Sequence, residues 1–280
     1  MAESSIPSDA DDAARARDAA EEQARLLYVA ALAYVATHDF GEDPAHDPRL
    51  QKAAATLALT LWRAMRRFSK VKMPTGTERQ QRLDERAGVL LRRAAEDARA
   101  HFRTVEGRLR RTDGDVSARE VAAAVKADKE WAAAAGRTMG TQEYAEAVME
   151  MHPRVEAATG GEPHSKLWIS RGDHRVRKTH RKLHGQVEAI GKPFVVSGKD
   201  GAIELGYPGD PKAPLGERIN CRCVLFLVPT KDKAEAEKVF HIPEDDFDVG
   251  KGLAASGVAD LLRERAEREW RSELARSYLR

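Results

Sequence analysis

Along the first half of the chain, apolar residues recur at helical rather than strand spacing. Residues 1–11 hold little to bury and are expected to be disordered, with a helical region over 12–160. The first helix carries Leu26, Leu27, Val29, Ala30, Leu32, Ala33, Val35 and Ala36, which leaves it apolar around most of its surface and predicts deep burial. After an acidic Gly/Pro loop, Pro48 suits the first turn of a second helix, opening near Asp47, whose apolar side is Leu57, Leu59, Leu61, Trp62 and Met65. Pro74 to Thr77 ends it. A long third helix is predicted from Thr77 to about Arg111, with Leu83, Ala87, Leu90, Leu91, Ala94, Ala98, Phe102, Val105 and Leu109 in register. Ser117 with Glu120 reads as a capping box for a fourth helix through Ala135, and a short fifth runs from Thr141 to Met151.

At Gly160-Gly161-Glu162-Pro163 the pattern changes, and a second domain is expected over 161–230. Pro193 to Val196 and Ala202 to Leu205 flank a Gly-containing link, a hairpin signal. Cys221 to Val228 is nearly all apolar and predicts a buried strand. An acidic linker over 231–252 and an amphipathic helix over 253–280, striped by Leu261, Leu262, Ala266, Trp270, Leu274 and Tyr278, complete an α+β architecture.

Composition narrows the function classes. The 47 Lys and Arg residues nearly balance 45 Asp and Glu, so bulk charge selects no partner. No run is long and apolar enough to span a bilayer, and the acidic start lacks the pattern of a secretory signal, so no membrane partner is expected. The two cysteines, Cys221 and Cys223, exclude a disulfide framework and leave free thiols, metal ligands or a redox-sensitive pair.

The middle of the chain holds an ordered string of chemically distinctive residues. It runs Lys166-Leu167-Trp168, then Asp173, Arg177 and His180, then His184-Gly185, Pro193-Phe194, Tyr207-Pro208-Gly209-Asp210-Pro211 and Ile219-Asn220-Cys221-Arg222-Cys223. In that order these residues resemble the Mu F-like domain of phage minor head proteins, over roughly 60 positions. Arg137-Thr138 and Glu143 give a weaker upstream extension. His184 departs from the pattern, since an acid commonly precedes the glycine. The resemblance implies a virion protein of the capsid interior or portal vertex, made in the host cytoplasm, acting in head morphogenesis and DNA ejection. Its implied partners are the portal protein and, with less support, scaffold or capsid protein.

Three readings of the motif stay open. Asp173, Arg177 and His180 fall four and three apart, a spacing that shares a helical face, so they can form a polar staple for a small domain. Alternatively, the same three could serve an enzyme acting on nucleic acid or nucleotide, His180 as general base. Finally, His180 and His184 with Cys221 and Cys223 make up a Cys₂His₂ set for structural zinc, the one cofactor the sequence raises. Pro208 and Gly209 shape a turn. Asn220 can bond backbone at the entrance to the last strand.

Around this motif Arg171, Arg175, Lys178, Arg181 and Lys182, together with Lys166 and Arg177, form a basic stretch. It is either a solvated face or a sequence-independent contact for double-stranded DNA phosphates.

Overall fold

The computed structural model describes residues 6–38, 42–67, 73–171, 175–198 and 201–240. The chain is α+β: long helices come first and a small antiparallel sheet follows. Among the described residues two compact units emerge, one built on 16–67 with 73–144, the other on 145–240 with 6–15. The linker beyond residue 240 and the helix expected over 253–280 lie outside the described residues.

Helix α1 spans Ile6–Val35, starting six residues before the predicted position at Asp12. Its buried face is narrower than the composition suggested. Ala16, Ala20, Ala24, Leu27, Ala31 and Val35 form one seam, whereas Leu26 and Val29 are each 41% exposed. Small residues make that seam shallow enough for another backbone to approach. The approach comes from helix α5, Lys129–Ala158. A Cβ at Gly136 would stand 2.5 Å from Cα of Arg25, and one at Gly140 would stand 2.5 Å from Cα of Glu21. The two glycines lie four apart, on one face of α5, so both close approaches fall along a single line of contact.

Helix α2, Pro48–Arg67, starts at Asp47, whose Oδ1 accepts the amides of Arg49 at 2.8 Å and Leu50 at 3.0 Å. That satisfies two otherwise orphaned donors of the first turn. It packs on α3, Gly76–Asp113, through Leu50, Leu57, Leu61 and Trp62 against Leu90, Leu91 and Ala94. The predicted capping box is present at α4, Ala118–Ala127, with Ser117 and Glu120 bonding each other reciprocally. This helix ends at Ala127 and not at Ala135. Asp128 interrupts it and begins α5, its Oδ1 accepting the Trp131 amide at 2.9 Å while Oδ2 meets His101 Nε2 at 3.0 Å. The short fifth helix expected over 141–151 is thus the middle of a 30-residue one. Buried Glu143 on α5 bridges two guanidinium groups of α3, Arg86 at 2.7 Å and Arg93 at 3.1 Å.

In the second unit the sheet order is β2-β1-β5, all antiparallel, with β1 His164–Ile169, β2 Val187–Ala189 and β5 Val224–Pro229. The central strand β1 escapes the sequence reading because His164, Ser165 and Lys166 break any apolar alternation, yet all three are buried. Lys166 survives burial by donating Nζ to the Gly206 carbonyl at 2.7 Å, beside the Phe194 ring at 5.1 Å. The predicted hairpin forms as β3 Phe194–Gly198 and β4 Gly201–Leu205, a separate two-stranded sheet. Three short helices complete the unit: α6 Lys178–Leu183, α7 Leu215–Arg218 and α8 Lys233–Phe240. Helix α8 occupies the start of what the sequence suggested was a linker.

Candidate metal centre

Trp168, next to last in β1, is fully buried and organises the surroundings of the site. His180 meets its ring edge-on at 5.2 Å, and Phe194 does so at 5.3 Å. The Trp168 carbonyl accepts the amide of Gly185 at 2.9 Å. That amide is brought in by a turn after α6 with φ +79° at Gly185, a conformation that favours glycine. Two motif residues scattered along the sequence therefore close on one indole, and a third bonds its backbone.

Helix α6 presents His180 inward, 2% exposed, toward the segment that follows α7. Ile219 closes α7, and Asn220 then takes φ +55°, a left-handed conformation that asparagine tolerates better than most residues. The reversal turns Cys221 and Cys223 back under α6. Both precede β5, so the sequence expectation of a strand beginning at Cys221 is corrected: the thiols converge through a turn and not through strand alternation. Nδ1 of His180 lies 3.6 Å from Sγ of Cys221 and 3.4 Å from Sγ of Cys223. All three donors are buried, and the thiols are reduced. Donation from Cys223, then from His180, holds the Cys221 thiol well below the ordinary cysteine range despite burial, favouring thiolate.

On the other side of the ring, Nε2 of His180 stands 3.1 Å from Oε2 of Glu217, in ion-pair range but outside hydrogen-bond geometry. Thr179 Oγ1 donates to the same carboxylate oxygen at 2.8 Å, which fixes it. Arg177 reinforces the junction. It is the residue capping α6, and its guanidinium donates to the carbonyls of Glu217 and Ile219. Helix α6 and residues 217–223 are thus joined by a guanidinium, a hydroxyl, an imidazole and two thiols.

Several predicted site residues sit elsewhere. His184 is outside the cluster: its Nδ1 faces the amide and hydroxyl of Ser170, each at 2.9 Å. The Cys₂His₂ set is therefore corrected to His180, Cys221 and Cys223 among the described residues. Asp173 lies outside the described residues, so its pairing with Arg177 is not seen. Arg177 does not share a helical face with His180 as the spacing implied, because α6 starts one residue later. Arg177 is committed to backbone carbonyls, and His180 is enclosed by the two thiols and Glu217.

Pro208 and Gly209 form the turn assigned to them. Gly209 takes φ +80°, and the Asp210 amide donates to the Tyr207 carbonyl at 3.1 Å. Asp210 closes the loop by accepting the amides of Gly206 at 2.8 Å and Lys212 at 2.9 Å. Lys166 reaches the same loop through Gly206, which links the first motif residue to the Pro-Gly-Asp turn.

Of the basic stretch, Arg171, Arg175, Lys178 and Lys182 are exposed. Arg181 is half-buried with Nε on the Val176 carbonyl, and Lys166 is buried away from any phosphate. Sequence spacing missed Glu217 and Thr179. Neither carries a recognisable signal, because each matters only once α6 meets a segment about 40 residues further along.

No protein-family model, curated protein or solved structure matches the chain. Among the described residues, no helix is long and apolar enough to cross a membrane.

Proposed function

We propose that this chain is a phage minor head protein of the Mu F-like head-morphogenesis kind, a structural component of the capsid interior or portal vertex. The observation that supports the reading is the ordered string from Lys166 to Cys223, of which Phe194, Cys221 and Cys223 pack against Trp168 and His180. A shared motif of dispersed polar and turn residues has a physical reason to exist when its members hold one another in place. Lys166, Trp168, Arg177, His180, Gly185, Phe194, Gly209, Asn220, Cys221 and Cys223 each meet that condition by a bond, a ring contact or a required backbone angle.

In this role the protein docks on the portal protein during assembly, with scaffold or capsid protein as secondary partners. The exposed Arg171, Arg175, Lys178 and Lys182 lie against DNA phosphates without reading sequence. The deciding experiment is co-expression with the portal protein encoded by the same phage genome, followed by isolation of the portal ring. Retention of this chain on the ring, at a fixed stoichiometry, supports the reading. Absence from both the ring and purified virions by mass spectrometry ends it. A truncation lacking 253–280 tells whether that segment makes the contact.

A further inference from the structure

We propose that His180, Cys221 and Cys223 bind a zinc ion, with His180 ligating through Nδ1 and Glu217 holding the imidazole from behind. This inference stands on the side-chain cluster alone and does not depend on the head-protein reading.

The distances are those a tetrahedral zinc imposes. Zn–S bonds of about 2.3 Å and a Zn–N bond of about 2.05 Å, separated by a tetrahedral angle, put the nitrogen about 3.5 Å from each sulfur. His180 Nδ1 lies 3.6 and 3.4 Å from the two Sγ atoms, and all three donor atoms fall within 4.8 Å of one another.

The choice of ring nitrogen follows from the surroundings. Nδ1 faces both sulfurs, and Nε2 faces Glu217 Oε2 at 3.1 Å. A metal-bound histidine commonly gives its remaining N–H to a carboxylate, which fixes the tautomer and raises ligand basicity. Glu217 is itself anchored by Thr179 Oγ1, and Arg177 grips the backbone on both sides of Arg218, at the carbonyls of Glu217 and Ile219. Nε2 lies in ion-pair range of Glu217 yet outside hydrogen-bond geometry, so a small turn of the ring brings its N–H onto the carboxylate once Nδ1 is ligated, and Glu217 is then a positioning residue. The three donors found among the described residues leave one tetrahedral position for a further ligand.

Two soft thiolates and one imidazole select zinc over oxygen-preferring magnesium or calcium. Both cysteines bind as thiolates, and any proton still held on a sulfur is released to solvent. The ion would join α6 to the turn before β5, two stretches that otherwise meet through a few polar bonds in a unit with only short strands.

The test uses the full-length chain, reduced, stripped with a chelator and titrated with Co(II) and then Zn(II). The expected result is one Co(II) per chain, with thiolate-to-cobalt charge transfer and the visible bands of a tetrahedral site, both removed by one equivalent of Zn(II). Cys223→Ser should abolish the charge-transfer band at that stoichiometry. Glu217→Gln should retain the spectrum and weaken Zn(II) affinity about 10–100-fold. His184→Gln should leave spectrum and affinity unchanged, which separates this ligand set from one that includes His184. The proposal is overturned if the wild-type chain, folded by circular dichroism, takes up no Co(II) or gives a cobalt spectrum without thiolate character. Wild-type titration decides the matter even if a variant fails to fold.

Discussion

Two substitutions of one chemical kind should move stability in opposite directions. Gly140→Ala and Gly88→Ala each add one methyl group to a helix interior, and helix propensity alone favours alanine by about 0.8–1 kcal/mol at either site. At Gly88, on α3, the added Cβ would meet only Arg92 Nη1 at 3.5 Å, the far end of a flexible side chain. The propensity gain should survive there, raising stability by about 0.5–1 kcal/mol. At Gly140 the new atom would stand 2.5 Å from Cα and 2.7 Å from N of Glu21, both backbone atoms that cannot rotate away. Relief requires α1 and α5 to separate by about 1 Å, and overpacking of this kind costs about 1–3 kcal/mol. Taking the upper end for a backbone collision and subtracting the propensity gain leaves a net loss of about 2 kcal/mol. Urea unfolding followed by far-UV circular dichroism measures both. With a slope of about 2 kcal/mol per molar, the Gly140→Ala midpoint should fall by about 1 M. A midpoint at or above wild type would mean that the two helices do not approach as closely as the seam requires.

Further outcomes follow from single groups. Glu143→Gln keeps the side-chain shape but removes the charge shared by Arg86 and Arg93. Breaking a fully buried pair costs roughly 3–5 kcal/mol, but these guanidinium groups remain 26% and 30% exposed, so a loss of about 2 kcal/mol in the same assay is expected. A change below about 0.5 kcal/mol, the range of ordinary surface substitutions, would refute it. Burial lowers the pKa of Lys166, so between its folded pKa and about 10.5 the unfolded chain binds more protons than the folded one. Stability relative to Lys166→Met should therefore rise with pH across that window, and parallel unfolding profiles for the two proteins would contradict it. Lys178 and Lys182 lie exposed, one turn apart on α6. If both contact phosphates, replacing both with alanine should lower the salt dependence of duplex DNA binding by about 0.9 per contact, regardless of sequence. Wild-type binding that ignores salt removes the phosphate contact altogether.

Local signals were legible because they are local. The capping box at Ser117, the breaks near residues 74–77 and 160–163, and the hairpin over 194–205 each depend on a few neighbouring residues and the backbone angles they favour. The α+β class followed from the same periodicities. The candidate site was half legible: the motif named His180, Cys221 and Cys223 but paired them with His184 and assumed a strand at the cysteines. Nothing in a four-residue spacing tells that a helix ends at His184, or that Ser170 faces that imidazole.

What the sequence determined alone was where helices and turns begin, because propensity, capping and turn chemistry act over a few residues. Tertiary structure decided which polar groups could be buried and which face of α1 was covered. Lys166 looks like a surface residue until Gly206 offers a carbonyl, and Gly140 looks like a helix defect until α1 passes against it. Glu217 has no meaning until α6 places His180 beside it. Each of these outcomes depends on partners distant along the chain, whose proximity is set by the packing of whole elements.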